Sequence, residues 1–317
     1  SEWLGNEINE LKKLDNLEIK TRTSVAAYHG YNYRLARENL TDHLSASEKK
    51  DKIRQRLLKI RAKKVIVATG SLERPLIFDN NDRPGIMLSS AVKKYADHYG
   101  VICGKKNVFF TNNDSAYESA ISLHKKGIQV QAIIDIRENS KSAIVNEAIN
   151  LGIKIYWSHS VVDTFVYKKL HKISLMKLSN DGQSTIGSKI NIYCDCLGVS
   201  GGWTPAVHLF TQSGGKLKFR DEDEVFIPNK YPSKQISIGS CNGDFTLNEI
   251  IKNSSNKLKE FLEIENTEYE NLNIINSIET DKRNIWLLPS DKVIGKTKPF
   301  VDYQNDATAK DIKLALR

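Results

Sequence analysis

The sequence lacks a C-x-x-C pair. Its four cysteines are Cys103, Cys194, Cys196 and Cys241, and no histidine stands near them at zinc-ligand spacing. Neither a redox dithiol nor a metal site is expected from that pattern. Cys194 and Cys196 lie two apart, which in a strand puts both thiols on one face, a buried structural role suited to a reducing cytoplasm. No run of about 18 apolar residues exists, so no membrane-spanning helix is expected. The opening Ser1-Glu-Trp-Leu-Gly shows neither the basic nor the apolar region of a signal peptide. The first residue is not Met, which fits a processed or truncated start. A charge block of one sign is also missing. The formal net charge is +9, but lysines are dispersed among Asp and Glu, with no Arg-rich helix or aromatic-basic sheet motif. That excess reads as solvated surface, and no nucleic-acid partner is expected.

The most informative absence is a glycine-rich phosphate loop. A complete dinucleotide-binding unit opens with a strand and G-x-G-x-x-G, and this chain begins too late to contain one. Its 317 residues nonetheless suggest two domains at ~100–200 residues each.

What is present centres on Arg61 to Pro75. Lys64 to Val67 is a short β-branched run that reads as a strand buried on both faces. It ends at Ala68-Thr69-Gly70, where small residues let the backbone approach whatever lies beyond the strand's carboxyl end, the ligand edge of an open α/β sheet. Before it, residues 2–14 have helical spacing, with Trp3, Leu4, Ile8, Leu11 and Leu14 on one face, and extended runs follow at 17–28 and 53–60. After it come a helix over 89–99 with Val92, Tyr95 and Ala96 inward, then strand 106–111, helix 115–126 and strand 130–136, a βαβ unit. The turn Thr111-Asn-Asn-Asp-Ser-Ala-Tyr117 stands where a fingerprint belongs but has no glycine. Asp114 or Ser115 makes a good N-cap, and Asp135 stands where a ribose-binding acid is often found. Helix 143–151, strand 154–157, a meander over 161–179 and one strand over 190–199 complete the unit. A second small-residue turn follows strand 236–239: Gly239, Ser240 and Gly243 permit close approach, and the next helix points its amino end there, a favourable place for a diphosphate. Residues 253–281 read as helix end plus linker, residues 285–289 and 299–306 as a lead toward something further, and Arg317 as mid-helix.

Several segments together resemble one family. They are Ala68-Thr-Gly-Ser-Leu-Glu-Arg-Pro75, Asn81-Asp-Arg-Pro-Gly-Ile-Met-Leu88, Phe110-Thr-Asn-Asn-Asp-Ser-Ala-Tyr117, Val199-Ser-Gly-Gly-Trp-Thr-Pro-Ala-Val-His-Leu-Phe210, Gln212-Ser-Gly-Gly-Lys216 and Phe300-Val-Asp-Tyr-Gln-Asn-Asp306. In this order they resemble the alpha subunit of heterotetrameric sarcosine oxidase. The resemblance implies a two-dinucleotide-binding-domain, disulfide-reductase-like FAD/NAD(P)-binding α/β fold, incomplete at its amino terminus. It implies a first domain from residues 1–72 and 198–260, an inserted Rossmann-like domain over 73–197, and a linker over 261–317 toward a folate-binding domain. It further implies a cytoplasmic complex with beta, gamma and delta subunits that demethylates sarcosine to glycine and hydrogen peroxide and passes the one-carbon unit to tetrahydrofolate. FAD and FMN would lie mainly on the partner subunit and at the interface, and NAD on this subunit. Its NAD site would use Val25 near the adenine, Ala68, Thr69 and Gly70 beside the adenosine, and Gly239, Ser240, Asn242, Phe245 and Leu247 near the diphosphate and distal ribose. No catalytic acid, base or nucleophile is named; His208 is a lone loop histidine. Two other readings are a subunit of an opine or amino-acid oxidase and a stand-alone pyridine-nucleotide-disulfide-reductase-like flavoprotein. The missing redox cysteine argues against the latter.

Overall fold

The computed structural model describes residues 2–264, 283–290 and 297–317. Its largest sheet has five parallel strands in the order Ile86–Leu88, Cys196–Ser200, Asn107–Thr111, Val130–Asp135 and Ile155–Trp157. Asn107-Val-Phe-Phe-Thr111 shows no polar alternation, and every residue of it is buried, as a parallel strand covered on both faces requires. Side chains on a strand alternate between faces, so Phe109 enters one core and Val108 and Phe110 the other. Helices Ser89–Tyr99, Ser115–Lys125 and Ala143–Asn150 close the Phe109 face. The antiparallel sheet His159–Tyr167, Lys169–Leu178 and Thr185–Ile192 closes the other through Val161, Leu170, Ile173 and Leu175.

A smaller unit precedes and follows this one. It holds the antiparallel sheet Thr23–His29, Tyr33–Asn39 and Gln55–Arg61, and a parallel pair of Val65–Val67 with Gln235–Ser237. Its core is slight: Tyr28, Val65, Val67 and Cys241. The units are joined by Ser71–Glu73, which pairs antiparallel with Trp203–Pro205.

Several expectations are corrected. Val65 and Val67 are buried, but Ile66 between them is 44% exposed, so this strand is covered on one face only. The single strand expected over 190–199 is two. Thr185–Ile192 ends the antiparallel sheet, and Cys196–Ser200 begins in the parallel one. Between them Asp195 accepts the Lys106 amide at 2.7 Å. That break places Cys194 in one core and Cys196 in the other, on opposite faces rather than one. Both thiols are buried and free, and burial pushes each up to about 12. The strand Cys196–Ser200 belongs wholly to the large sheet, so the return to the smaller unit follows Ser200 rather than residue 197. Tyr95 is half exposed rather than inward, and Trp3, Ile8 and Leu11 of helix Glu2–Leu11 are exposed. Residues 283–290 and 300–306 do not lead away from the fold. Leu288 N donates to Ile77 O at 2.8 Å, and the Asn81 side chain bonds both backbone groups of Phe300 at 2.9 Å. The last helix, Ala309–Ala315, stops before Arg317. Helix Leu247–Leu262 is present, and most of the expected linker, residues 265–282, lies outside the described residues.

Candidate nucleotide site

The parallel pair ends in two turns lying side by side. Val67 O accepts the Ile238 amide at 3.0 Å and the Cys241 thiol at 3.3 Å, which sets the Gly239–Asn242 turn against Ala68-Thr69-Gly70. Gly70 has φ +75, in the left-handed region where a side chain is strained, and a Cβ on it would come 3.9 Å from Ser240 Oγ. Thr69 Oγ1 donates to Ala206 O at 2.8 Å and the Ala206 amide returns to Gly70 O at 3.0 Å, so the turn is fixed to the segment coming back from the large sheet. Gly239 also has positive φ. Two bare backbone edges therefore meet at the carboxyl ends of two parallel strands, the edge at which α/β sheets take ligands.

The remaining expected residues have differing surroundings. The Asn242 side chain ties the turn to the following helix: its Nδ2 donates to Asp244 at 3.1 Å and its Oδ1 accepts Lys257 Nζ at 2.6 Å. Burial pulls the Lys257 ammonium below its ordinary value. Phe245 lies 6.0 Å from the Arg220 guanidinium. Leu247 opens the helix and is exposed. Val25 is partly exposed on the edge strand, three residues before Tyr28, whose ring enters the small core beneath the turns.

The helix after the turn differs from a free anion site. Thr246 Oγ1 accepts the Glu249 amide at 3.3 Å, and the Glu249 carboxylate accepts the Thr246 amide at 3.1 Å. This capping box occupies two backbone donors and places a negative charge at the amino end. Lys257, bonded to Asn242, and Arg220, which donates to Gly243 O at 2.7 Å, bring positive charge to the turn itself.

Asp135 is the other position singled out by sequence. It is fully buried and does not face a ligand. Arg137 Nη2 donates to it at 2.7 Å, Arg137 Nε at 3.0 Å and Tyr117 Oη at 2.7 Å. Burial pushes its carboxyl upward against the pull of Arg137. Arg137 also pairs with Asp114 at 2.7 Å, so Asp114 is a charge partner rather than a side-chain cap. Neither Arg137 nor Tyr117 is marked in the sequence as a partner of Asp135, because these side chains meet it only in the folded unit. His208 is exposed at the start of a short helix. The four thiols, His208 and the buried acids do not converge, and among the described residues no group of His, Cys, Asp and Glu is arranged to hold a metal.

The sequence is similar to sarcosine oxidase subunit alpha from Corynebacterium sp. (strain P-1), 32% identical over 98% of this chain and 32% of that protein. The corresponding subunit of Rhizobium meliloti (strain 1021) is 28% identical over 98% of this chain and 30% of its own length. The chain thus spans about a third of these curated relatives. Among solved structures, L-proline dehydrogenase from P. horikoshii superposes with a TM-score of 0.54 at 19% identity, covering 81% of this chain and 44% of that one. Thioredoxin reductase from T. acidophilum gives 0.50 at 16% identity, covering 76% and 74%. These two establish the fold alone. The model of the family described as pyridine nucleotide-disulphide oxidoreductase matches residues 16–234. By that match, and by a parallel α/β unit inserted into a second, ligand-edged one, the chain belongs to the pyridine nucleotide-disulphide oxidoreductase family.

Proposed function

We propose that this chain is the nucleotide-binding portion of a sarcosine oxidase alpha subunit and contributes to an NAD site that is complete only in the whole subunit, without itself performing the amine oxidation. The observation that carries the reading is similarity over 98% of the chain to three proteins so named. The paired turns at Gly70 and Ser240 support it. In this reading Ala68, Thr69 and Gly70 flank the adenosine, Val25 lies toward the adenine, and Gly239, Ser240, Asn242, Phe245 and Leu247 line the diphosphate and distal ribose. NAD would be held there, and the chain's own part is to bind and orient it. Residues 1–72 and 201–260 form the NAD-binding domain and 73–200 the inserted one. The complex, cytoplasmic and completed by beta, gamma and delta subunits carrying FAD and FMN, oxidises the N-methyl group of sarcosine with oxygen. Its products are glycine, hydrogen peroxide and a one-carbon unit delivered to tetrahydrofolate.

The test is to isolate this chain with its native partners and measure substrate-dependent oxygen uptake and peroxide release. Uptake with sarcosine, joined to methylene transfer when tetrahydrofolate is added, is expected. Oxidation of an opine or another amino acid in preference to sarcosine would move the chain to a different oxidase. Disulfide reduction by a reduced pyridine nucleotide would move it to the reductases.

A further inference from the structure

In the five-stranded sheet the chain order reverses between Asn107–Thr111 and Cys196–Ser200. The crevice beyond the carboxyl ends of two such strands is where an open α/β sheet binds its ligand. We infer that this crevice is closed by the chain itself, with residues 283–290 lying across it as an internal occupant, so that the inserted unit takes no dinucleotide.

Three separate features close it. A diphosphate needs unsatisfied amides at the start of the following helix. Here the Asn113 side chain accepts the Ser115 amide at 2.9 Å, and Thr111 Oγ1 accepts the Asn113 amide at 3.1 Å. Asn113 and Ser115 then reach across to Ser200, with the two serine hydroxyls 3.1 Å apart. A ribose needs a carboxylate with free lone pairs. Asp135 spends its own on Arg137 and Tyr117, and Arg137, which would otherwise suit a 2′-phosphate, is held between Asp135 and Asp114 with 3% of its side chain exposed.

The third feature is the strap. Arg283 N donates to Asn112 O and Asn112 Nδ2 donates to Arg283 O, each at 3.1 Å. The Arg283 guanidinium donates to Ile136 O at 2.9 Å and to Asn180 O at 2.7 Å. Trp286 Nε1 donates to Gly201 O at 2.6 Å, and the Arg74 guanidinium lies over its ring at 4.3 Å. Ile77 and Leu287 form a parallel bridge, with Ile77 N donating to Trp286 O at 2.7 Å. The strap is therefore bonded to the carboxyl ends of three neighbouring strands and to the link between the units. A Cβ on Gly201 would meet Trp286 Cδ1 at 3.0 Å and Pro75 O at 2.8 Å, so the indole occupies space that an ordinary residue there would deny it. The consequence is functional: no reduced pyridine nucleotide can be seated on this unit to act as an electron donor.

This inference concerns the inserted unit and stands apart from the NAD site proposed at Gly70. Hydrogen exchange of the full chain, read by segment with and without millimolar NADH and NADPH, tests it. Exchange across 111–117, 135–137 and 200–202 is expected to stay within about twofold of the nucleotide-free rates, whatever happens at 68–70 and 239–247. Slowing of about tenfold or more in those three segments would overturn it. Arg283→Ala provides the second arm. It should raise exchange at Asn112 and speed proteolytic cleavage within 283–290 while the helices keep their protection; a strap as protected as in the unaltered chain would overturn its role as the closing element.

Discussion

Glu73 is a carboxylate withdrawn from water at the link between the two units. It accepts the Ser90 amide at 2.8 Å and the Ser90 hydroxyl at 2.6 Å, with a further bond from Ser200. It thereby caps helix Ser89–Tyr99, whose own N-cap residue, Leu88, has no side-chain acceptor. Burial raises its pKa above the ordinary 4.5, and the serine bonds only partly oppose this. The sign follows from linkage: a carboxyl that holds its proton more tightly when folded contributes stability below its unfolded value and loses it as pH rises through the folded one. Stability should therefore fall as pH rises from the ordinary carboxyl value through the higher folded one. Glu73→Gln, which keeps an acceptor but cannot ionise, should flatten that part of the profile. Urea midpoints measured across the range decide it, and parallel profiles for the two proteins would show that Glu73 does not titrate there. No local pattern marks this residue, because its partners lie 17 and 127 positions away in sequence.

At the scale of elements, helix Leu247–Leu262 shows how much can rest on an end. It has no fully buried residue, so packing contributes less than usual and the capping box contributes more. Thr246→Ala should cost about 1 kcal/mol, seen as a melting temperature lower by about 2–4 °C, whereas Thr246→Ser should cost much less. An unchanged melting temperature for the alanine variant would mean that the helix is held by its side-chain contacts alone. Thr246 and Glu249 stand at capping-box spacing just before an apolar-periodic run, a helix-start signal that is local in sequence. The break between Thr185–Ile192 and Cys196–Ser200 was not. Both strands are rich in apolar residues at strand spacing, and only the pairing partners, antiparallel for one and parallel for the other, separate them.

For the whole molecule, the division of cores sets the functional expectation. The inserted unit has two substantial cores, one on each face of its sheet, while the apolar cluster around the smaller unit's pair of three-residue strands is only Tyr28, Val65, Val67 and Cys241. Its candidate NAD edge lies on that slighter unit, and Glu249 stands at the helix end nearest the diphosphate turn. Calorimetric titration of this polypeptide with NAD should therefore give weak binding or none, and a tight isotherm would show that the described residues suffice. The sequence by itself determined the family, the order of most elements and the two small-residue turns, because strand and helix periodicities and positive-φ glycines are local properties. It also showed that the turn from Thr111 to Tyr117 has no glycine to admit a phosphate. Only the tertiary structure decided that Gly70 meets Ser240, that Cys194 and Cys196 face opposite cores, and that residues 283–290 return to fill the second crevice. Each of those depends on contacts between distant segments, whose geometry is set by packing after the local elements have formed.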